Sequence, residues 1–447
     1  MSMLHRALLR RHPTLDGIPG PKPRFPLGNI TDFKHGLPWR TSLDYARRYG
    51  PYTLFWLGNR PAVFVHDPAG IETILIDKRE SFVKVEPTDA MRPAATESNM
   101  FIANGAAWAE RRRLDFFSCE HAGAWLSERF IPTQEFIGRR LGALPRGDVG
   151  GFERSLYRLV FDIQSFLCFG RRIPERDFRA YNKMTDVVDL RMKSNLPLVT
   201  PGFHRSIGRW HRAVSEQLAV NEDDPNGRSL SHLLARSTRL PRAQLVTELA
   251  NVYPGGVFSM TVGLVHALAC LAADGRARDR ARAAASALGE GGAVTYAALT
   301  ECAEIEGVLR ESLRLFPPAP VFMRSVRADE VQVGPYRLPK GLRVLVGVLP
   351  LHRDPDHWRY ADEFIPERWD AETLAANPYG SGYFFPFGRG PRTCGGEALA
   401  RFVLRSALYC VLAGMGPEMI LAKPEDYRFY FGCMMPKGVQ ATVAERG

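Results

Sequence analysis

Phe384 to Ala400 reads FFPFGRGPRTCGGEALA. Its one cysteine, Cys394, stands among Gly388, Gly390, Gly395 and Gly396, so the backbone turns tightly there and can approach another group closely. Directly after it, Glu397 to Leu412 (EALARFVLRSALYCVL) carries apolar residues at helical spacing. The thiol is therefore expected at a helix N-terminus, where free N–H groups and the positive dipole end favour thiolate. A thiolate so placed is a nucleophile or a metal ligand. The other six of the seven cysteines (Cys119, Cys168, Cys270, Cys302, Cys410 and Cys433) read as small buried hydrophobes. The count is odd and no C-x-x-C pair occurs, which argues against a disulfide framework and a structural zinc site.

The 447 residues suffice for a large buried core and, on length alone, for two or three domains. No Gly/Ser-rich linker separates two cores and no solenoid-length period repeats, so residues 1–447 read as a single domain, mainly α with a small β-sheet region. Apolar content of 45 % and charged content of 24 % are ordinary for a globular chain. The net charge is +11, and only nine of the 59 basic residues are Lys. That excess reads either as surface composition or as attraction for an acidic partner. Nucleic acid is not expected, since no zinc finger, aromatic-rich RNA motif or basic tail is present.

Residues 1–26 form a leader and Pro-rich segment with no apolar run long enough for a signal peptide or anchor, and a cytoplasmic location is expected. Tyr52–Leu57 and Ala62–Val65 read as strands around a Gly58-Asn59 turn. The pattern is mainly helical from Pro68, with loops at Glu222–Gly227 and Gly289–Gly292, and turns strand-like over Glu330–Val348. Val252–Ala273 contains no Asp, Glu, Lys or Arg and is long enough to span a bilayer. Pro254, Gly255 and Gly256 interrupt it, and a helix buried on all sides is the expected outcome.

Phe387, Gly390, Arg392, Cys394 and Gly396 match F-x-x-G-x-R-x-C-x-G at every position. The loop resembles the haem-binding loop of the cytochrome P450 family. Other pieces follow that family's order: Trp108 and Arg112 as W-x-x-x-R, Glu311 and Arg314 as E-x-x-R, Arg324 and Asp329 as R-x-x-x-x-D, then Pro366, Glu367 and Arg368 as P-E-R. The resemblance runs from about Gly20 onward. It implies the family's fold, with haem b (iron protoporphyrin IX) buried between a central long helix and the Cys394 loop. It makes Cys394 the axial thiolate of the iron, where a soft anionic sulfur favours O–O cleavage and loop N–H groups moderate its charge. It makes Phe387 a shield for the sulfur. Trp108, Arg112, Arg324 and Arg392 become partners of the haem propionates, which need cationic or N–H groups when buried. Glu311, Arg314 and Arg368 resemble a buried charge triad with a folding role, and His352 reads as a structural histidine.

The resemblance breaks at the central helix. Most oxygen-activating relatives follow the Gly kink with an acid and a Thr; here Gly255 and Gly256 fit the kink, but Phe258 and Ser259 stand where the acid and Thr would be. Thr261 is two residues too far and faces elsewhere. Gly256, Phe258 and Ser259 are therefore the candidate oxygen-side residues, with Phe258 expected either to contact substrate over the haem or to pack between helices. Two readings stay open. One is a monooxygenase in secondary metabolism whose protons pass through Ser259, water or substrate; the other is peroxide-driven oxidation, desaturation, ring closure or rearrangement. A non-enzymatic haem sensor and a cysteine-nucleophile enzyme are rivals from other classes, the last lacking a local His as base.

By the same resemblance, Met91, Arg92, Met100, Phe101, Met192, Leu196, Leu198, Pro320, Val321, Phe322, Gly432, Cys433, Met434 and Met435 would line a hydrophobic substrate pocket. No flavin or nicotinamide fingerprint is present, so electrons are expected from a ferredoxin- or flavodoxin-type donor. Arg111, Arg113, Arg389 and Arg401 are the candidate steering cations on the thiolate side.

Overall fold

The structure, a computed structural model, describes residues 9–33, 38–84, 103–113, 121–194, 202–222, 229–237, 241–290, 292–370, 382–424 and 426–445. The longer helices are α1 (Pro38–Tyr49), α2 (Gly105–Arg113), α3 (His121–Gly142), α4 (Glu153–Phe169), α5 (Glu175–Ser194), α6 (Phe203–Glu222), α7 (Arg242–Ala273), α8 (Gly275–Glu290), α9 (Ala303–Leu315) and α10 (Glu397–Leu412). A mixed sheet contains β1 (Tyr52–Leu57), β2 (Arg60–Val65), β3 (Phe82–Val83), β4 (Val321–Val326) and β5 (Arg343–Gly347) in the order β1-β2-β5-β4-β3. Near the C-terminus β6 (Asp426–Tyr430) and β7 (Cys433–Lys437) form a hairpin.

Two large cores, with smaller clusters beside them, account for this layout. The larger is made by α3, α4, α5, α6, α7, α9 and α10, each contributing its apolar stripe. The smaller lies on the sheet, where Leu54, Trp56, Val63, Val65, Val344 and Val346 alternate inward along β1, β2 and β5. The strands, the helix over Glu397–Leu412 and the buried central helix expected from sequence are all present. One boundary differs: α8 runs through Gly289 to Glu290, because its Ala- and Arg-rich run favours helix more than one Gly disfavours it.

The central helix α7 starts at Arg242, ten residues before its charge-free run. Its most apolar window is 78 % buried, which suits a core helix. Between Gln244 and Leu271, the residues that are not buried are Gln244, Glu248, Asn251, Val252, Gly255, Gly256 and Ser259. Their spacing follows the helical repeat, so they form one open stripe on an otherwise enclosed helix.

Pro254 lies inside α7 and has no N–H to offer the Ala250 carbonyl. Trp210 on α6 replaces that donor: its Nε1 donates to the Ala250 carbonyl oxygen at 3.0 Å. A neighbouring helix thus stabilises the break in α7. Trp210→Phe keeps the aromatic packing and leaves the carbonyl unsatisfied, at a cost of about 1–3 kcal/mol. Denaturant unfolding checks this; unchanged stability would mean the bond contributes nothing at the kink.

Candidate active site

The Cys394 loop is fixed by its own backbone. Cys394 N–H donates to the Phe387 carbonyl at 2.8 Å and Thr393 N–H to the Gly390 carbonyl at 2.9 Å. Gly390 has φ 75°, and a Cβ there would lie 2.5 Å from the Leu75 carbonyl oxygen, so glycine is required. The loop delivers Cys394 just before the first turn of α10, with its side chain exposed. The other described cysteines, Cys168, Cys270, Cys302, Cys410 and Cys433, are buried. Burial pushes Cys168, Cys270, Cys410 and Cys433 up to about 12, which keeps them as thiols. Phe387 is half-buried beside the loop, under the Arg401 guanidinium at 5.0 Å from the ring centroid.

Cations gather on one side of this thiol. Arg392 donates through Nη2 to the Ala103 carbonyl at 2.8 Å and to Asn104 Oδ1 at 3.1 Å, and its guanidinium stands 4.5 Å from the Trp108 ring centroid. Its Nη1 is buried without a partner. Arg324 on β4 donates to its neighbouring Met323 carbonyl at 2.9 Å. Among the described residues neither arginine has a carboxylate within ion-pair distance. Burial and the nearby Arg392 push Arg324 down to about 10; burial also lowers Arg392. Lys84 completes the group. Burial pushes it down to about 7, Arg324 and Arg392 add to the shift, and Cys394 opposes it.

Lys84 carried no motif in the sequence. The signal that would have found it is register: Phe82 pairs with Val326 and Val83 with Ser325, and continuing the ladder puts Lys84 opposite Arg324. The Arg392 guanidinium lies over the Trp108 ring, while Arg112 lies one turn further along α2, half-buried.

The open stripe of α7 carries the other candidate residues. Ser259 is half-exposed there and its Oγ donates back to the Gly255 carbonyl at 2.8 Å or the Gly256 carbonyl at 3.1 Å. Gly256 faces α4: a Cβ would lie 2.6 Å from Gln164 Oε1. Phe258 is off the stripe and 1 % exposed, packed against Tyr157, Tyr181, Tyr430 and Phe431. The expected substrate contact by Phe258 is corrected accordingly: its helical phase points it into the core between α4, α5 and the hairpin. Thr261 is fully buried and donates to the Val257 carbonyl at 2.7 Å.

Two further expectations change. Cys433, Met434 and Met435 on β7 are buried in cores rather than open; the half-exposed residues of that turn are Phe431 and Gly432. Arg401 is not a free steering cation, because it pairs with Glu397 at 3.0 Å and Glu306 at 3.1 Å, and Glu306 also takes Arg310 and Arg405. Arg389 stands 3.6 Å from Glu72. Met91, Arg92, Met100, Phe101, Leu196 and Leu198 lie outside the described residues, as do the side chains of Met192, Arg111 and Arg113. Val321 and Phe322 on β4 are half-buried, and Pro320 is buried.

Behind the loop, Glu311 binds Arg314 through two bonds of 2.7 and 2.9 Å, Arg368 Nε at 3.3 Å, Trp369 Nε1 at 2.9 Å and Ile365 N–H at 3.1 Å. Arg314 also donates to the carbonyls of His352, Ala361 and Glu363. Such saturation is what a fully buried carboxylate–guanidinium pair requires. His352 links this network to the loop by accepting the Phe385 N–H at Nε2, 3.1 Å. Burial, with Arg314 nearby, pushes the His352 imidazole down to about 3, so it is neutral. These residues support the loop and do not face the thiol.

Comparisons with known proteins agree with this geometry. A family model described as "Cytochrome P450" matches residues 18–415. Cytochrome P450 714C3 of Oryza sativa subsp. japonica is 26 % identical, over 91 % of this chain and 87 % of its own. Cytokinin hydroxylase of Arabidopsis thaliana is 24 % identical, over 92 % and 87 %. Lithocholate 6-beta-hydroxylase of Mesocricetus auratus is 25 % identical, over 89 % and 84 %. Among solved structures, the cytochrome P450DA heme domain superposes with a TM-score of 0.81 at 21 % identity, covering 96 % of this chain and 97 % of that one.

The cation group gives a direct expectation. A charge-assisted bond to a buried carboxylate contributes about 1.5–3 kcal/mol, so Arg392→Leu or Lys84→Met should speed haem loss to a scavenger globin about tenfold or more. Loss at the wild-type rate in both variants would separate these cations from the propionates.

Proposed function

The chain belongs to the cytochrome P450 family, and from that premise we propose that it is a haem-thiolate monooxygenase acting on a hydrophobic organic molecule of moderate size, in secondary metabolism. The observation that carries the reading is one exposed cysteine beside Lys84, Arg324 and Arg392, of which the two arginines have no carboxylate within ion-pair distance among the described residues. The residues present fit haem b. Cys394 would hold the iron as thiolate; Lys84, Arg324, Arg392, Arg112 and Trp108 would hold the propionates, with the orphaned Arg392 Nη1 still to be satisfied. When bound, the group supplies oxidation by dioxygen, one oxygen atom entering the substrate and the other leaving as water for two electrons and two protons.

The chain's own residues set the conditions for that chemistry. Phe387, half-buried in the loop, would limit water at the sulfur once the group is bound. Val252, Gly255 and Gly256 give the stripe an apolar, close-approaching floor. Ser259 carries the stripe's one hydroxyl, and rotation about its χ1 would release its proton from the Gly255 carbonyl for delivery. Electrons would come from a separate ferredoxin- or flavodoxin-type protein in the cytoplasm; Arg389, which reaches one carboxylate at 3.6 Å, is less committed than Arg401, which binds both Glu397 and Glu306.

A specific observation favours a second reading. The position usually acidic is Phe258, locked among four rings, and the stripe's hydroxyl is turned back on its own helix. This suits peroxide-driven oxidation, or desaturation, ring closure or rearrangement without oxygen insertion.

Compounds that shift the iron's spin state should be turned over with reductase and, separately, with hydrogen peroxide. Addition of one oxygen under reductase supports the monooxygenase; turnover by peroxide alone, or a product without added oxygen, supports the second reading. Under reductase, Ser259→Ala should lower product formation by about 100-fold and raise peroxide release, while peroxide-driven turnover stays unchanged. Equal reductase-driven rates would remove Ser259 from the proton route. Phe258→Asp should destabilise by roughly 3–5 kcal/mol, since it buries an unpaired charge among rings, and should not restore coupling.

A further inference from the structure

A half-open cleft of about 270 Å³ lies between the end of α3 and the start of α4, lined by Arg140, Leu144, Arg154, Ser155 and Arg158 among others, with no carboxylate in its lining. We propose that this cleft is a binding site for a phosphate-type oxyanion, separate from the Cys394 site.

Two of the three arginines lining the cleft, Arg140 and Arg158, are held in place beforehand. Asp162, fully buried on α4, receives Arg158 Nε at 2.9 Å, Arg140 Nη2 at 3.0 Å and Arg172 Nε at 3.1 Å. One carboxylate thus anchors three guanidiniums. The Arg158 guanidinium is further held over the Phe178 ring at 4.2 Å. Fixed side chains lose little freedom when a ligand arrives, so more of the contact energy appears as affinity.

Positive charge remains after the local acids are assigned. Glu175 is taken by Arg158 and Arg172, and Glu153 by the N–H groups of Gly438 and Val439. Glu445 is taken by Arg146. Arg154 is exposed and has no carboxylate partner among the described residues. Arg140 Nε and Arg158 Nη2 also lack partners. The dipoles agree: the cleft meets the positive end of the 17-residue helix α4. The negative end of α3 is covered by Arg146, which donates to the carbonyls of Leu144 and Gly142. Three planar forks around one small cleft suit a tetrahedral, multiply charged oxyanion better than a single carboxylate.

The test is calorimetric titration of the full-length protein with inorganic phosphate, with sodium chloride and acetate as controls at matched ionic strength. Saturable binding is expected for phosphate alone. Arg154→Ala removes a side chain with no ion-pair partner and should weaken binding at least tenfold while leaving thermal unfolding unchanged; Arg154→Lys should recover part of the affinity. A second arm uses phosphatidylcholine vesicles with and without phosphatidic acid. Binding to free phosphate and to phosphatidic acid vesicles identifies a lipid headgroup as the source, and binding to free phosphate alone identifies a soluble phosphate ester. Equal responses to phosphate and chloride, wild-type affinity in Arg154→Ala, or vesicle binding without phosphate binding would each overturn the site. Because no step involves haem, its failure leaves the reading of Cys394 untouched.

Discussion

Like charges held close together and partly out of water favour an anion between them. Lys84, Arg324 and Arg392 come from three distant parts of the chain; burial lowers the pKa of each, and the neighbouring arginines add to the shift at Lys84 and Arg324. The surrounding fold keeps them together. The pairing of β3 with β4 sets Lys84 beside Arg324. Arg392 ties the Cys394 loop to Ala103 and Asn104 at the entrance to α2. The saturated Glu311 network and His352 hold the segment leading into the loop. An anion with two carboxylates beside a thiolate-bound metal is the group for which this arrangement makes electrostatic sense.

Much of this was legible in the sequence because local rules and tertiary needs agreed. Glycines at Gly388 and Gly390 mark left-handed turns, the run after Gly396 has helical period, and the cysteine stands between them. The charge-free stretch of α7 announced a core helix for the same reason. What could not be read depended on contacts between distant segments. Lys84 became part of the site through strand register. Arg401 was lost to it because Glu306, 95 positions away, binds it together with two other arginines. The hairpin methionines looked available because a turn was expected to expose them, yet Met435 is buried in the helical core and Met434 in a small cluster with Trp39 and Leu349.

The central helix shows how phase decides role. Ser259 and Phe258 are adjacent, but one lies on the open stripe and the other in a nest of aromatic rings. Pro254 breaks the hydrogen-bond ladder and Trp210 repairs it from outside, so the kink is a supported feature of the fold. Replacement of an acid by Phe258 therefore removes a carboxylate without opening space, and any polar route must run along the stripe.

The account rests on an ionised sulfur at Cys394 coordinating a porphyrin iron. The carbon monoxide adduct of the reduced, intact holoprotein tests this most directly. The strongly red-shifted Soret band of thiolate ligation is the predicted result; a Soret band of imidazole or neutral-thiol ligation in undamaged protein would contradict it.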